Sequence, residues 1–183
     1  MKGLAPTALL AATGLLLSGC LVSETPLLDA SNATATPLAE GVYEACADPK
    51  EGEEEDCNPI SVSLDKGGRY VFAVEDDVIE TRFRQIGEND YAVQLDEGDG
   101  EGAQYFWGHA AGESFSLVMM WCSDLPRALV DSLIDAGGMA TDDDYTTCEV
   151  KTVDALVAAA ASYAAGEAVS DGGLTMTRAA AAE

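Results

Sequence analysis

Between residues 38 and 121 the sequence alternates apolar and polar residues in short runs, and this pattern limits the fold more than any other feature. Ile60, Val62 and Leu64, for example, are each separated by a polar residue. Such alternation is typical of strands with one face on a core and the other toward solvent. Turn residues separate the runs, as at 65–68 (DKGG), where glycine permits a positive φ.

Seven runs of this kind follow one another at short, even spacing, and an eighth lies nearer the C-terminus. The candidate strands are Gly41–Cys46, Ile60–Leu64, Tyr70–Val74, Val78–Ile86, Tyr91–Leu95, Tyr105–His109, Phe115–Trp121 and 146–151. This spacing predicts an antiparallel meander or a small barrel-like sheet of about seven to eight strands.

After Cys122 the period of the apolar residues changes to that of a helix. A first helix is expected from Pro126, which suits a first helical turn, to the glycines that begin at Gly137. A second helix, capped by Thr152, is expected to end at Gly166. The predicted fold class is therefore α+β, mainly β, with one or two C-terminal helices covering a face or an open end of the sheet.

The N-terminus combines a positively charged Lys2 with an apolar stretch, residues 4–17, that is shorter than the about 20 residues needed to span a bilayer. The stretch ends in Leu17-Ser18-Gly19-Cys20, which resembles the lipobox of bacterial lipoproteins: an aliphatic residue, two small residues and a cysteine. The resemblance implies cleavage before Cys20, a diacylglycerol on its sulfur and acylation of the new amine. The alternative is an ordinary secretory peptide with an incidental cysteine.

The lipoprotein resemblance also indicates location and domain organisation. It implies a protein of the bacterial cell envelope that contacts the membrane through the lipid on Cys20. Because Leu21 follows the cysteine, rather than the aspartate that tends to retain such proteins in the inner membrane, the outer membrane is favoured. The expected segments are a signal peptide at 1–19, a lipidated tether at 20–37, a single β-rich domain with C-terminal helices at 38–166 and a flexible tail at 167–183.

Four cysteines remain when Cys20 is set aside, an even number in a chain exported to an oxidising compartment. Four cysteines allow three pairings. We expect Cys46–Cys57 and Cys122–Cys148, because each bond closes a local loop between neighbouring elements. None of these spacings is as short as the C-x2-C of a structural zinc site, and no cofactor is expected.

The charge balance excludes one class of partner and favours another. Lys and Arg number 9 against 33 Asp and Glu, a formal net charge of -24 at pH 7. Such a chain is repelled by nucleic acid phosphates, whereas a basic envelope protein, for example a basic cell-wall hydrolase, would be steered toward it. Two acidic runs, 51–56 and 96–102, are interpreted as solvated loops, and calcium binding by the second is the alternative.

Four residues are candidates for contact with a ligand or partner. Arg82 and Arg84 share one face of their predicted strand and could anchor an anionic group, although pairing with nearby acids is the simpler interpretation. Trp107 and His109 share one face of a different predicted strand, Tyr105–His109, and His109 is the sole histidine. Packing or turn chemistry is favoured for this histidine over serine catalysis, since the sequence contains no G-x-S-x-G motif.

These observations favour a non-catalytic binding or interaction module with an acidic surface. One alternative is a barrel that encloses a small apolar ligand, because Gly41-x-Tyr43 partly resembles the G-x-W opening of lipocalins. For that alternative the expected interior is aromatic, with Tyr70, Phe72, Tyr105, Trp107, Phe115 and Trp121. A periplasmic hydrolase is the least favoured function.

Overall fold

The computed structural model describes residues 19–49, 56–75, 77–96, 102–142, 144–168 and 172–179. The strands within these ranges are β1 (Leu21–Ser23), β2 (Gly41–Ala47), β3 (Asp56–Leu64), β4 (Tyr70–Val74), β5 (Asp77–Gln85), β6 (Asp90–Asp96), β7 (Ala103–Ala111), β8 (Ser114–Met119), β9 (Met139–Thr141), β10 (Cys148–Val150) and β11 (Leu174–Arg178). The helices are α1 (Arg127–Asp135) and α2 (Val153–Ala164), and a 3-10 turn spans Cys122–Asp124.

Eight of the strands form a closed antiparallel barrel. The strands β2 to β8 pair in chain order, and β11 completes the ring between β8 and β2. The predicted mainly β fold with C-terminal helices is thereby confirmed, and of the two predicted arrangements the barrel is the one formed. Closure removes the exposed sheet edges that would otherwise invite pairing with another chain.

Strand β11 lies in the segment expected to be a flexible tail, and the structure differs from the expectation there. Met176 lies opposite Phe115 of β8 on one side and Ala45 of β2 on the other. Its side chain is 1% exposed. A strand so short and so rich in threonine has no strong pattern of its own, and it is held by partners that are distant in sequence.

A small second sheet extends the barrel wall beside β7. Strand β1 pairs with the start of β7 and, in parallel, with β10, which in turn pairs with β9. The predicted disulfide Cys122–Cys148 joins the end of the barrel to this sheet, and the predicted Cys46–Cys57 bond links β2 to β3. Both predicted pairings are confirmed.

The N-terminal segment that was expected to be a tether is packed against the barrel. Leu28 is buried and exchanges two backbone hydrogen bonds with the amide of Gln94, at 2.6 and 3.1 Å. Further along, the Tyr70 hydroxyl bonds both backbone groups of Leu38, and burial raises the pKa of Tyr70 to about 12. These contacts fix the segment between β1 and β2 because its polar backbone groups are satisfied by buried side chains.

Helix α2 covers the outer face of β6 and β7. The predicted cap is confirmed, since the Thr152 hydroxyl oxygen accepts a hydrogen bond from the Ala155 N–H at 3.2 Å. Leu156, Ala159 and Ala160 are fully buried in the core between this helix and the barrel wall. Of the helices in the described part of the chain, none has the length and apolarity required to cross a bilayer.

The direction of the β7 side chains corrects the expected barrel interior. Tyr105 and Trp107 belong to the core outside the barrel, beneath α2, whereas Phe106 packs against the core inside it. Gly108, also on the inner face, leaves room for Phe115, because a Cβ at Gly108 would lie 2.5 Å from that ring. The inner face of β7 therefore carries Phe106 and Gly108, and not the predicted Tyr105 and Trp107.

Candidate ligand-binding site

The barrel encloses an apolar cavity of about 640 Å³ that opens at one end. This volume falls in the range of about 300–1,000 Å³ that is usual for small-molecule sites. The lining side chains come from seven barrel strands and from the chain segments at the open end: Ile60, Phe72, Ile79, Thr81, Val93, Leu95, Phe106, Leu117, Met119, Trp121, Ser123, Asp124, Leu174 and Met176. We call this space the lumen and its open end the mouth.

The opposite end of the barrel is filled by aromatic rings. Phe83 lies at the centre, with its ring centroid 5.0 Å from that of Tyr70 and 5.6 Å from that of Phe115. Tyr91 packs against the same group at 6.4 Å from Phe83. Edge-to-face packing of this kind forms a solid floor. As formed by the described residues, the lumen is consequently a cup that opens at the mouth.

One polar group inside the lumen has no partner. Thr81 lies on the inner face of β5, is 1% exposed and lines the cavity. Among the described residues its Oγ1 is one of two buried side-chain polar atoms without a hydrogen bond, and the other is Ser162 of α2. A buried hydroxyl left without a partner is costly, so Thr81 is a natural contact for a polar atom of a ligand.

The mouth is held in place by the C-terminal helix. Tyr163 of α2 accepts a hydrogen bond from the Trp121 N–H at 2.8 Å, and its hydroxyl lies 3.2 Å from Asp124 Oδ2. Burial raises the pKa of Tyr163, so the phenol stays protonated and can donate to the carboxylate. Trp121 and Asp124 are thus fixed at the rim of the lumen rather than on a free loop.

Arg82 and Arg84 lie on the outer face of β5, away from the lumen. Arg84 Nη1 donates to the backbone oxygen of Asn32 at 2.6 Å, and Arg82 Nη1 donates to that of Gly67 at 3.1 Å. The carboxylate of Glu80, on the same face, pairs with Arg69. The two arginines therefore serve to hold neighbouring segments of this chain.

Trp107 and His109 also lie outside the lumen, where both bond the same carboxylate. His109 Nδ1 is 2.9 Å and Trp107 Nε1 is 3.2 Å from Asp90 Oδ1. Ser116, opposite His109 across β7 and β8, has its hydroxyl 3.3 Å from that of Thr175. The side chain of His109 is 41% exposed on an outer face and does not line the lumen.

Cys20, the predicted lipidation site, lies beside the mouth. Its backbone forms a bridge with Trp121, and its Sγ is 3.2 Å from Met119 Sδ. Met119 and Trp121 both line the lumen. Cys20 is 1% exposed, so a group attached to its sulfur would have to displace the side chains packed beside the entrance of the cavity.

The two acidic runs lie largely outside the described residues. Only their ends are described: Asp56 at the start of β3, Asp96 at the end of β6, and Gly102 just before β7. The calcium alternative for 96–102 therefore stays a prediction. Within the described ranges, no three acidic, histidine or cysteine side chains lie close enough together to hold a metal ion.

Asp96 gives a testable effect of pH on stability. Burial raises the pKa of this carboxyl, although the amide of Gln94 and the charge of Arg82 act the other way. The folded protein then holds the proton more tightly than the unfolded chain, whose aspartates have an ordinary pKa of about 3.9. Ionised Asp96 therefore costs stability, and the cost grows as pH rises through the ordinary pKa toward the folded one.

We expect Asp96→Asn to raise the free energy of unfolding at pH 7. The gain over the unmodified protein should shrink as pH falls toward 4 and vanish below it, which urea unfolding at a series of pH values can measure. Glu88→Gln, at an exposed turn, is the control for losing one negative charge. An Asp96→Asn chain less stable than the unmodified protein at pH 7 would contradict the assigned cost.

Comparison of the chain with protein-family models, with curated proteins and with solved structures gave no match in any of the three.

The lumen residues that sequence reasoning missed are mainly aliphatic, such as Ile79, Leu95 and Leu117. Their signal is the alternation within β5, β6 and β8, which indicates a shared face without indicating that this face surrounds an empty space.

Proposed function

We propose that this protein is a lipid-anchored protein of the bacterial cell envelope that binds an apolar small molecule inside its barrel and has no catalytic activity of its own. The observation that carries the proposal is the apolar lumen, open at one end and closed by the aromatic group around Phe83 at the other. A barrel that acts only through its acidic surface has no need of such a space. The partial resemblance of Gly41-x-Tyr43 to lipocalins supports the same function.

The lining favours binding over chemistry. It is aliphatic and aromatic, and Thr81, Ser123 and Asp124 supply its polar side chains. The pair of Asp90 and His109, the nearest arrangement to an acid–base couple, lies on an outer face. An apolar ligand would be held mainly by the removal of its surface from water, at roughly 25 cal/mol per Å².

A neutral fluorescent probe tests the binding function directly. We expect N-phenyl-1-naphthylamine to bind the oxidised full-length chain at one site with an increase in fluorescence. Leu117→Trp fills the lumen and should weaken binding at least about tenfold, because the bulky ring occupies the space of the probe. Val71→Trp, the same type of change at an outward position of β4, is the matched control and should bind as the unmodified chain does.

Two further results bear on the same proposal. Near-ultraviolet circular dichroism establishes that Leu117→Trp is folded, and Met119→Trp provides a second way to fill the lumen. Absence of any saturable fluorescence change with the unmodified chain would reject ligand binding. Equal affinity of the probe for the unmodified chain and for both filled variants would show that the probe binds outside the lumen.

The lipid anchor is tested separately. The Leu17-Ser18-Gly19-Cys20 motif and the preceding apolar stretch lead us to expect a mature N-terminal Cys20 carrying a diacylglycerol and an amide-linked acyl chain. Mass spectrometry of the protein isolated from envelopes should show these masses, and Cys20→Ala should block processing and keep the signal segment attached. An unmodified mature N-terminus at any other residue would contradict the anchor.

A further inference from the structure

The inner faces of two strands carry carboxylates where they reach the mouth. On β5, Asp77 precedes Ile79 and Thr81 at alternate positions, so it continues the row that lines the lumen. On β3, Asp56 shares the face of Ile60 but lies four residues before it, with the exposed Asn58 between them. Both aspartates are exposed. Because alternate residues of a strand share a face, the two carboxylates extend the cavity wall at its open end.

Two more carboxylates stand at the same end. The N–H of Asp48 donates to the backbone oxygen of Gly173 at 2.9 Å, and the Asp48 carboxylate lies against that glycine of the cavity wall. Asp124 lines the lumen itself and is held by Tyr163. We call Asp48, Asp56, Asp77 and Asp124 the acidic rim.

Three of the described basic residues lie at the closed end of the barrel. Lys66 and Arg69 belong to the turn between β3 and β4, and Arg178 ends β11, all at the closed end. No lysine or arginine among the described residues lines the lumen. Acidic side chains such as Asp65, Glu88 and Glu113 accompany these cations at the closed end, and the apolar cavity opens at the other end, beside the acidic rim.

The lumen supplies a second sign of a ligand, independent of the acidic rim. Thr81 Oγ1 is buried in the lumen wall without a partner, below the acidic rim. On the basis of the proposed function, we infer that the lumen takes a cationic amphiphile, whose apolar body fills the cup and whose positive group remains at the acidic rim. A fatty acid placed the same way would bring its carboxylate toward the like charges of the acidic rim.

Three probes with the same ten-carbon chain separate charge from apolarity: decyltrimethylammonium, decanoate and decanol. Titration calorimetry below their micellar concentrations uses the oxidised full-length chain carrying Cys20→Ala, to which no lipid can be attached through that sulfur. At low salt we expect the cation to bind about tenfold more tightly than decanoate, with decanol between them. The difference should largely disappear at 1 M salt, where charges are screened beyond about 3 Å.

Matched charge variants assign the effect to the acidic rim. Asp56→Asn with Asp77→Asn should weaken binding of the cation about fivefold and strengthen binding of decanoate. Glu88→Gln with Glu113→Gln removes two charges from exposed turns at the closed end and should leave both affinities unchanged. Thr81→Val should leave the preference for the cation intact, because position 81 lies in the lumen wall and not among the carboxylates of the acidic rim.

The outcomes distinguish this inference from the function on which it rests. Equal binding of the three probes, or tighter binding of decanoate, would overturn the inference and leave apolar binding in place. Equal effects of the two double variants would also overturn it, since the total negative charge of the protein, and not the acidic rim, would then determine the preference. Failure of all three probes to bind would reject both the inference and the proposed function.

Discussion

A chain that ends at Asp171 is expected to lose the barrel fold, because it lacks β11. Without this strand the facing edges of β2 and β8 are left unpaired, and the lumen core loses Met176. Removing a buried methionine side chain costs about 2–5 kcal/mol, and each lost backbone hydrogen bond adds about 1 kcal/mol. The sum reaches the whole stability of an ordinary domain, about 5–15 kcal/mol.

Thermal unfolding followed by near-ultraviolet circular dichroism measures this effect. The shortened chain should show no cooperative transition, and limited proteolysis should degrade it. A chain that ends at Ala179 keeps β11 and removes only residues 180–183, so it should unfold like the full chain. A cooperative transition in the shorter chain, at the same temperature as in the control, would show that residues 172–183 are a tail that the fold does not require.

For strands with one solvent-exposed face, the sequence predicted both the bounds and the inward face. For strands covered on both faces, it predicted only the bounds. In β3 and β5, outward polar residues such as Ser61 and Arg82 alternate clearly with inward apolar ones. In β7 the outward Tyr105 and Trp107 are as apolar as the inward Phe106, because α2 covers them. Alternation then shows that a strand exists without showing which face points inward.

The packed N-terminal segment and β11 lay beyond sequence reasoning for a different physical reason. Leu21, Leu28 and Leu38 are buried, but they are separated by stretches without a period, and Gln94 and Tyr70 hold the backbone between them. Such contacts join residues far apart in the chain, so no local window contains both partners. The two disulfides were predictable because each joins cysteines that are close in sequence, 11 and 26 residues apart.

The lumen exists only because the sheet closes into a barrel. For this reason the residues that line it could be predicted only in part. The aromatic residues expected inside include Tyr70, Phe72 and Phe115, and these do belong to the inner core. Whether inner side chains fill a barrel or leave space depends on strand number and register, which together set its diameter. Aromatic rings fill the lower half, and the smaller aliphatic side chains near the mouth leave the upper half empty.

Phe83→Ala should both destabilise the protein and deepen the lumen. The ring is 1% exposed and lies within 6.4 Å, between centroids, of Tyr70, Phe72, Tyr91 and Phe115. Truncating a buried phenylalanine to alanine costs about 3–5 kcal/mol, which urea unfolding can measure. Phe83→Leu, which keeps most of the volume, should cost less.

The same substitution connects packing with ligand size. The space vacated by the Phe83 ring lies directly below the lumen, so the two should merge and admit a longer apolar chain. In Phe83→Ala, hexadecyltrimethylammonium should gain affinity relative to decyltrimethylammonium, whereas in the unmodified protein the floor prevents that gain. Phe106→Ala, near the mouth, enlarges the lumen without breaching the floor and should not produce the same shift. If both variants changed the length preference equally, or neither did, the aromatic group would not be the floor of the site, and the ligand would have to lie outside the barrel axis.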